Sequence, residues 1–315
     1  MVLTGEAHGK LLLFGEHAVV YGHPALGLTL PLTMRVTLTP TEASVSTQTN
    51  HDLLEHLIRT LDEDAQRRWQ EHVWQVNIQS DIPRAGGFGS SAALCGALAR
   101  ALTIHPNKQL IRTRAHQAEH YFHGTPSGVD TALALGRGLS AFDPRTQTSG
   151  QITAPPFAFI AGALPRSENT RTLIARVHDQ SQSHAQVLTT LGNLAQETIT
   201  TLPTLKQTEA SRFLGEQAQA AHRFLADLGL STPVLDQIVP TALQAGATGG
   251  KLSGAGGGGA FVLFCADSDT AERIRSIIDG QFGNALLHLA AYFWDGQTLQ
   301  TVIESRASRE DLNKQ

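Results

Sequence analysis

The stretch IPRAGGFGSSAALCGALARAL, residues 82–102, decides how the chain is read. A glycine-rich turn runs directly into an Ala/Leu helix. Glycines at such a junction let backbone N–H groups approach an anion closely, and the helix N-terminus adds a partial positive charge. Ser90 and Ser91 can cap that helix, or one of them can reach a phosphate-bound metal ion. The turn is not a Walker A loop, because no lysine follows its glycines. A second candidate, GATGGKL at 246–252, fails as well: Ala245 stands where the first Walker glycine belongs and Leu252 where Ser or Thr belongs.

Outward from this stretch, strands and helices are intermixed. KLLLF (10–14) reads as a short buried strand, and residues 34–39 and 74–78 alternate apolar and polar as strands do. Leu53, Leu54, Leu57, Ile58 and Leu61 share a helical face. Helices are expected over about 108–122 and from Val129 to 135, with strands at 138–142 and 156–163. Leu214, Ala218, Ala221, Leu225 and Leu228 form a helical stripe suited to a core. Strict βαβ alternation is missing, so the expected class is α+β. At 315 residues, about two domains are expected. A boundary in the loop 144–155 divides the chain into 1–153 and 154–315.

Composition narrows the function. The chain is 41% hydrophobic and 17% charged, as in an ordinary globular protein. Its net charge of −4 argues against a dedicated nucleic-acid binder. Two distant cysteines, Cys95 and Cys265, exclude a disulfide scaffold and a four-cysteine zinc site. Reduced, buried thiols in a cytoplasmic protein are the expectation. No run of about 18 apolar residues is present, so no membrane span is expected.

Three further segments carry chemistry. KLLLFGEHAVVYGHPAL (10–26) sets Lys10, Glu16, His17 and His23 in or near one turn, and a lysine beside a buried strand needs a carboxylate or phosphate partner. EHYFHGTPSGVD (119–130) brackets a turn with Glu119 and Asp130, a pairing in which one carboxylate binds a metal and the other accepts a proton. His116, His120 and His123 also have the spacing of a zinc triad on a helix, against the alternative of solvated histidines. KLSGAGGGGA (251–260) packs five glycines into six residues, a loop whose entropy cost implies close backbone approach or several positive φ values.

Taken together, these segments resemble the GHMP kinase superfamily, with three motifs in the right order between 10 and 264. KLLLFGEHAVVYGHPA, HGTPSGVD and LDQIVPTALQAGATGGKLSGAGGGG are most similar to its mevalonate-phosphorylating branch. The resemblance implies a two-domain fold, with an N-terminal domain like domain 2 of ribosomal protein S5 and a ferredoxin-like C-terminal domain. ATP and substrate would meet in the cleft between them. It implies ATP- and Mg²⁺-dependent phosphorylation of the 5-hydroxyl of mevalonate, in isoprenoid biosynthesis. Gly87, Phe88, Gly89, Ser90 and Ser91 would cradle the triphosphate, and Gly254, Gly256 and Gly257 would close over it. Ser91 and Glu119 would hold the metal. Asp130 would accept or orient the hydroxyl, with Lys10 lowering its pKa and stabilising the transferring phosphoryl group. Glu16, His17 and Thr170 would hold mevalonate. The resemblance is compatible with a homodimer and with a prenyl diphosphate inhibitor at the ATP site.

The second motif departs from the superfamily's P-x-G-x-G-L-G-S-S: Ala85 stands in place of a glycine, Gly86 in place of a small residue such as alanine, and Phe88 in place of leucine. The segment PRSENTR is two residues longer than its counterparts. Phosphomevalonate kinase and mevalonate 3-kinase are the neighbouring activities, and a non-catalytic ATP and metabolite sensor is the reading from another class. All four of Lys10, Ser91, Glu119 and Asp130 being present favours the enzyme.

Overall fold

The computed structural model describes residues 1–41, 51–103, 105, 107–168, 170–179, 182 and 184–304. The chain runs through β1 (Leu3–Phe14), β2 (Ala25–Thr41), α1 (His51–Arg59), α2 (Glu63–Gln70), β3 (Val73–Ser80), α3 (Ser90–Ala101), α4 (Lys108–His123), α5 (Val129–Ala134), β4 (Leu139–Asp143) and β5 (Thr148–Gln151). It continues through β6 (Phe157–Leu164), α6 (Thr170–Asp179), α7 (Ala185–Thr201), α8 (Gln207–Asp227), α9 (Leu235–Gln244), β7 (Gly249–Leu252), β8 (Gly259–Cys265), α10 (Ser268–Phe282), β9 (His288–Trp294) and β10 (Leu299–Glu304). The elements group into two compact units. One comprises Met1–Lys10, Leu32–Ile82 and Gly89–Gly136; the other comprises Leu11–Pro31, Pro83–Phe88 and the chain from Arg137 onward.

The first unit is built around α3. This Ala-rich helix buries nine of its twelve residues. Small side chains let it lie directly on β1: a Cβ on Gly5 would come within 1.9 Å of the Ala97 carbonyl oxygen, and one on Gly96 within 3.2 Å of Ala7 Cβ. Helix α4 packs along α3. Its Arg114 is buried and clamps α2, with Nε donating to Asp62 Oδ2 at 2.7 Å and Nη2 to Asp62 Oδ1 at 2.6 Å. Asp62 also accepts from the Ala65 amide and so caps α2. The later half of β2 pairs antiparallel with β3, Met34 opposite Ser80 and Thr41 opposite Val73.

The second unit contains an antiparallel sheet in the order β10-β9-β6-β8-β7. Central β6, FAFIAGAL, is buried at every position. That continuous apolar run is what a strand covered on both faces requires. Gly162 gives room to the Phe261 ring beside it. The expected stripe on α8 and just beyond it, Leu214, Ala218, Ala221, Leu225 and Leu228, is buried. The early half of β2 pairs with β4, Ala25 opposite Phe142 and Leu28 opposite Leu139.

The α+β expectation holds: helices lie with antiparallel sheets in both units. KLLLF is the buried end of a longer strand that begins at Leu3. Cys95 and Cys265 are free and buried, and burial raises both thiol pKa values, that of Cys265 to about 12. Among the described residues no helix is long and apolar enough to cross a membrane.

Candidate active site

In the first unit, Lys10 near the end of the β1 segment meets Asp130 in the first turn of α5. Their Nζ and Oδ1 atoms are 2.9 Å apart, with Lys10 4% exposed and the Asp130 side chain 30% exposed. The lysine stem lies against Gly89, where a Cβ would come within 2.7 Å of Lys10 Cγ. Gly89 also takes φ 77 as the residue that opens α3. A side chain there would be strained and would collide with the lysine, so both constraints fall on one glycine. Helix α3 has no side-chain cap at its N-terminus. Its first amide groups are therefore not satisfied by a serine, and capping does not account for GFGSS.

Ser91 points instead to α4, with its Oγ 3.2 Å from His123 Nε2. Glu119, one turn earlier on α4, is 1% exposed and accepts from Thr131 Oγ1 at 2.9 Å. Ligand atoms of Glu119, His123 and Asp130 all lie within 4.8 Å of one another. Burial, and then the neighbouring Asp130 charge, push the Glu119 carboxyl up to about 8, against the Thr131 hydrogen bond and Lys10. Two carboxylates held this closely favour an added positive charge. The three-histidine spacing does not make a site: the His116 and His120 rings stack edge-on at 5.0 Å, while His123 faces Ser91.

In the second unit, the turn after β1 is joined to the loop between β7 and β8. Glu16 forms an ion pair with Lys251, and both side chains are fully buried. His17, at φ 57, donates from Nε2 to the Ala255 carbonyl at 3.1 Å. Burial lowers its pKa to about 4, so the ring is neutral at pH 7. Ser253 Oγ donates to the Leu12 carbonyl at 2.7 Å. Most of the loop's glycines are needed for packing. A Cβ on Gly256 would strike the Leu230 carbonyl oxygen at 2.5 Å, one on Gly258 the Pro165 carbonyl oxygen at 2.2 Å, and one on Gly257 the Leu173 side chain at 2.9 Å. Gly254 differs, since nothing lies within 4 Å of its Cβ position.

The phosphate-loop segment Pro83–Phe88 belongs to this unit. Ala85 keeps φ 57, so the alanine occupies a left-handed conformation suited to glycine. Phe88 is buried edge-on against His288, with ring centroids 5.1 Å apart. Arg166, in PRSENTR, was not singled out from the sequence. Its guanidinium lies against both Gly87 and Gly259, 3.2 Å and 2.7 Å from where their Cβ atoms would be. Thr170 opens α6, and its side chain lies outside the described residues.

The structure thus brings together Lys10, Asp130, Glu119 and Ser91 in one unit, and Glu16 and His17 with the glycine loop in the other. Sequence reasoning missed Lys251 and Arg166, and offered His123 only as one of three histidines along a helix. His123 was legible in part, since it sits in HGTPSGVD, but its Ser91 partner is 32 residues away. Lys251 is separated from Glu16 by 235 residues, and no local pattern links them.

Comparison with known proteins gives a consistent picture. Residues 52–138 match the family model described as GHMP kinases N terminal domain, and residues 206–284 match GHMP kinases C terminal. A mevalonate kinase of Pyrococcus horikoshii is 30% identical over 297 residues, covering 82% of this chain and 87% of the relative. A mevalonate kinase of Pyrococcus abyssi is 29% identical over 301 residues, covering 82% and 87%. Among solved structures, L. major mevalonate kinase in complex with R-mevalonate superposes with a TM-score of 0.77 at 21% identity, covering 94% of this chain and 96% of that one.

Proposed function

The chain belongs to the GHMP kinase family, and we propose that it transfers the γ-phosphoryl group of ATP to the 5-hydroxyl of mevalonate. The observation that carries this reading is the Lys10–Asp130 pair, set beside buried Glu119 and the start of α3. The family kinship supplies the reaction class, and the relatives' activity supplies the substrate.

Asp130, held beside Lys10 through Oδ1, is the carboxylate that accepts the proton of the attacking hydroxyl. The new bond joins the alcohol oxygen to phosphorus, the bond to the ADP oxygen breaks, and the proton passes from the alcohol to Asp130. Lys10 sets a positive charge beside that carboxylate and where the transferring group gathers negative charge. The open amide groups of α3, with Ser90 beside them, suit a phosphate. Gly87 and Phe88 lead into this helix, and Gly254 is a half-buried glycine with open space at its Cβ position. Arg166 adds a cation beside Gly87 and Gly259, suited to an anionic group of either substrate.

The donor set fits a divalent cation of the hard type. Glu119 supplies carboxylate oxygens within 4.8 Å of ligand atoms of His123 and Asp130, and Ser91 Oγ lies 3.2 Å from His123 Nε2, so two oxygen donors stand on either side of that imidazole. We assign Mg²⁺ to Ser91 and Glu119; bound there, it would neutralise phosphate oxygens. Glu16 is not placed for direct substrate contact, because its side chain is 0% exposed. His17, neutral and 7% exposed, is the better candidate for a polar group of mevalonate.

An ADP-release assay with Mg·ATP tests the proposal across R-mevalonate, 5-phosphomevalonate, galactose and homoserine. Turnover with mevalonate alone is expected. Turnover with another member of the panel would overturn the substrate, and no turnover with any would overturn the kinase reading.

A further inference from the structure

The buried ion pair between Glu16 and Lys251 has no role in the chemistry above. Both side chains are fully buried. Lys251 Nζ also donates to the Leu252 carbonyl at 2.7 Å and sits 5.6 Å from the centroid of the Phe14 ring. Removing two charges from water is expensive, and apolar residues of similar volume often fold as well or better in their place. Such a pair is therefore a weak means of holding a core together, and its location matters more than its energy.

It lies at the root of two functional segments. Glu16 immediately precedes His17, whose backbone is held at φ 57 and whose ring donates to Ala255. Lys251 begins a run that leads through Ser253, bonded to the Leu12 carbonyl, to Gly254, whose Cβ position faces open space. Three side-chain bonds thus bind residues 12–17 to residues 251–255: Lys251 to Glu16, Ser253 to Leu12 and His17 to Ala255. The ion pair is the innermost of them. It fixes the carboxylate and the ammonium in one orientation, which apolar contacts, being non-directional, would not do.

We propose that Lys251 is a positioning residue: paired with Glu16, it sets the shape of the Gly254 loop for nucleotide binding, with the His17 turn as the surface that loop is fastened to. The inference rests on the phosphate-binding assignment of that loop above.

The test uses calorimetric binding of Mg·ADP to the full chain, with thermal unfolding measured alongside. Lys251→Met alone strands a buried carboxylate and can fail to fold, so the deciding variant is the double Glu16→Leu with Lys251→Met. The expected result is an unfolding temperature at or above that of the unaltered protein, with Mg·ADP affinity weakened about 10-fold by the misplaced loop. The ATP KM should rise in parallel while kcat changes less. A double variant that folds and binds Mg·ADP as tightly as the unaltered protein overturns the positioning role alone. An unaltered protein that binds no Mg·ADP overturns the phosphate-binding assignment and this inference with it. A double variant that does not fold shows the pair to be structural, and that also overturns the inference.

Discussion

Lys10 Nζ lies 2.9 Å from Asp130 Oδ1, a cation almost wholly buried beside a carboxylate that solvent still reaches. The asymmetry suits a group that must meet a substrate while its charge is fixed from behind. Asp130→Asn keeps the shape and removes the proton acceptor. It should lower kcat by about 100-fold or more while Mg·ATP affinity stays close to that of the unaltered enzyme. Steady-state kinetics with calorimetric ATP binding checks this. Retention of most of the activity would remove Asp130 from the reaction.

Lys10→Met should be comparably harmful to kcat, by about 100-fold, since it removes charge from the transferring group and from Asp130 together. The double variant with Asp130→Asn should be little worse than either single change, because the two side chains act as a unit. Additive losses in that double-mutant cycle would show two independent roles.

The metal assignment is separable from the proton acceptor. Ser91→Ala should raise the Mg²⁺ concentration needed for half-maximal rate by about 10-fold, with the mevalonate KM nearly unchanged. Titration of Mn²⁺ by electron paramagnetic resonance, with and without nucleotide, gives a second reading free of turnover. A change confined to the mevalonate KM would put Ser91 on the substrate.

Ala85 offers a test of the phosphate loop's backbone. The family pattern has glycine here, and the structure keeps the positive φ of 57 that a glycine would adopt freely. The left-handed conformation costs an alanine about 1–2 kcal/mol, part of which is offset by the greater freedom of glycine in the unfolded chain. Ala85→Gly should therefore stabilise the protein by roughly 0.5–1 kcal/mol in urea unfolding. A destabilised variant would mean that the Ala85 methyl group makes a contact worth more than the strain.

Two buried histidines make stability fall as the solution becomes acid. Burial lowers both His17 and His288 from 6.5 to about 4. In the unfolded chain each ring takes up a proton as pH falls below about 6.5; in the folded protein it does so only near the lowered value. Their stabilisation is complete above the unfolded value and is lost as pH falls towards about 4, roughly 3 kcal/mol for each ring. Urea unfolding at pH 7 and pH 5 measures the loss. His288→Leu should flatten the dependence, and an unchanged slope would contradict the assignment.

Much of this was legible because it is local. Gly89, Ser90 and Ser91 announce a loop entering a helix, and Glu119 with Asp130 bracket a turn only a few residues long. The apolar run of β6 reads as a buried strand without further help. What the sequence hid depends on distance along the chain. Glu16 reads as a polar group in a turn, and only the fold shows it shut away with Lys251, 235 residues further on. The glycines at 256–258 look like a phosphate cradle throughout. The structure shows that Leu230, Pro165 and Leu173 already claim the space where their side chains would be, which leaves Gly254 as the open position. Ser91 could have been a cap, and only the fold shows its Oγ turned to His123 on the neighbouring helix.

The most direct test of the central claim is the proton-coupled phosphorus spectrum of the product formed from Mg·ATP and R-mevalonate. Transfer to the 5-hydroxyl places phosphorus next to a methylene group, so the new phosphomonoester signal should be a triplet, formed by the unaltered protein and lost with Asp130→Asn. A new phosphomonoester signal without splitting, distinct from inorganic phosphate, would place the phosphate on the tertiary 3-oxygen. That result, or no new phosphomonoester at all, would contradict the account.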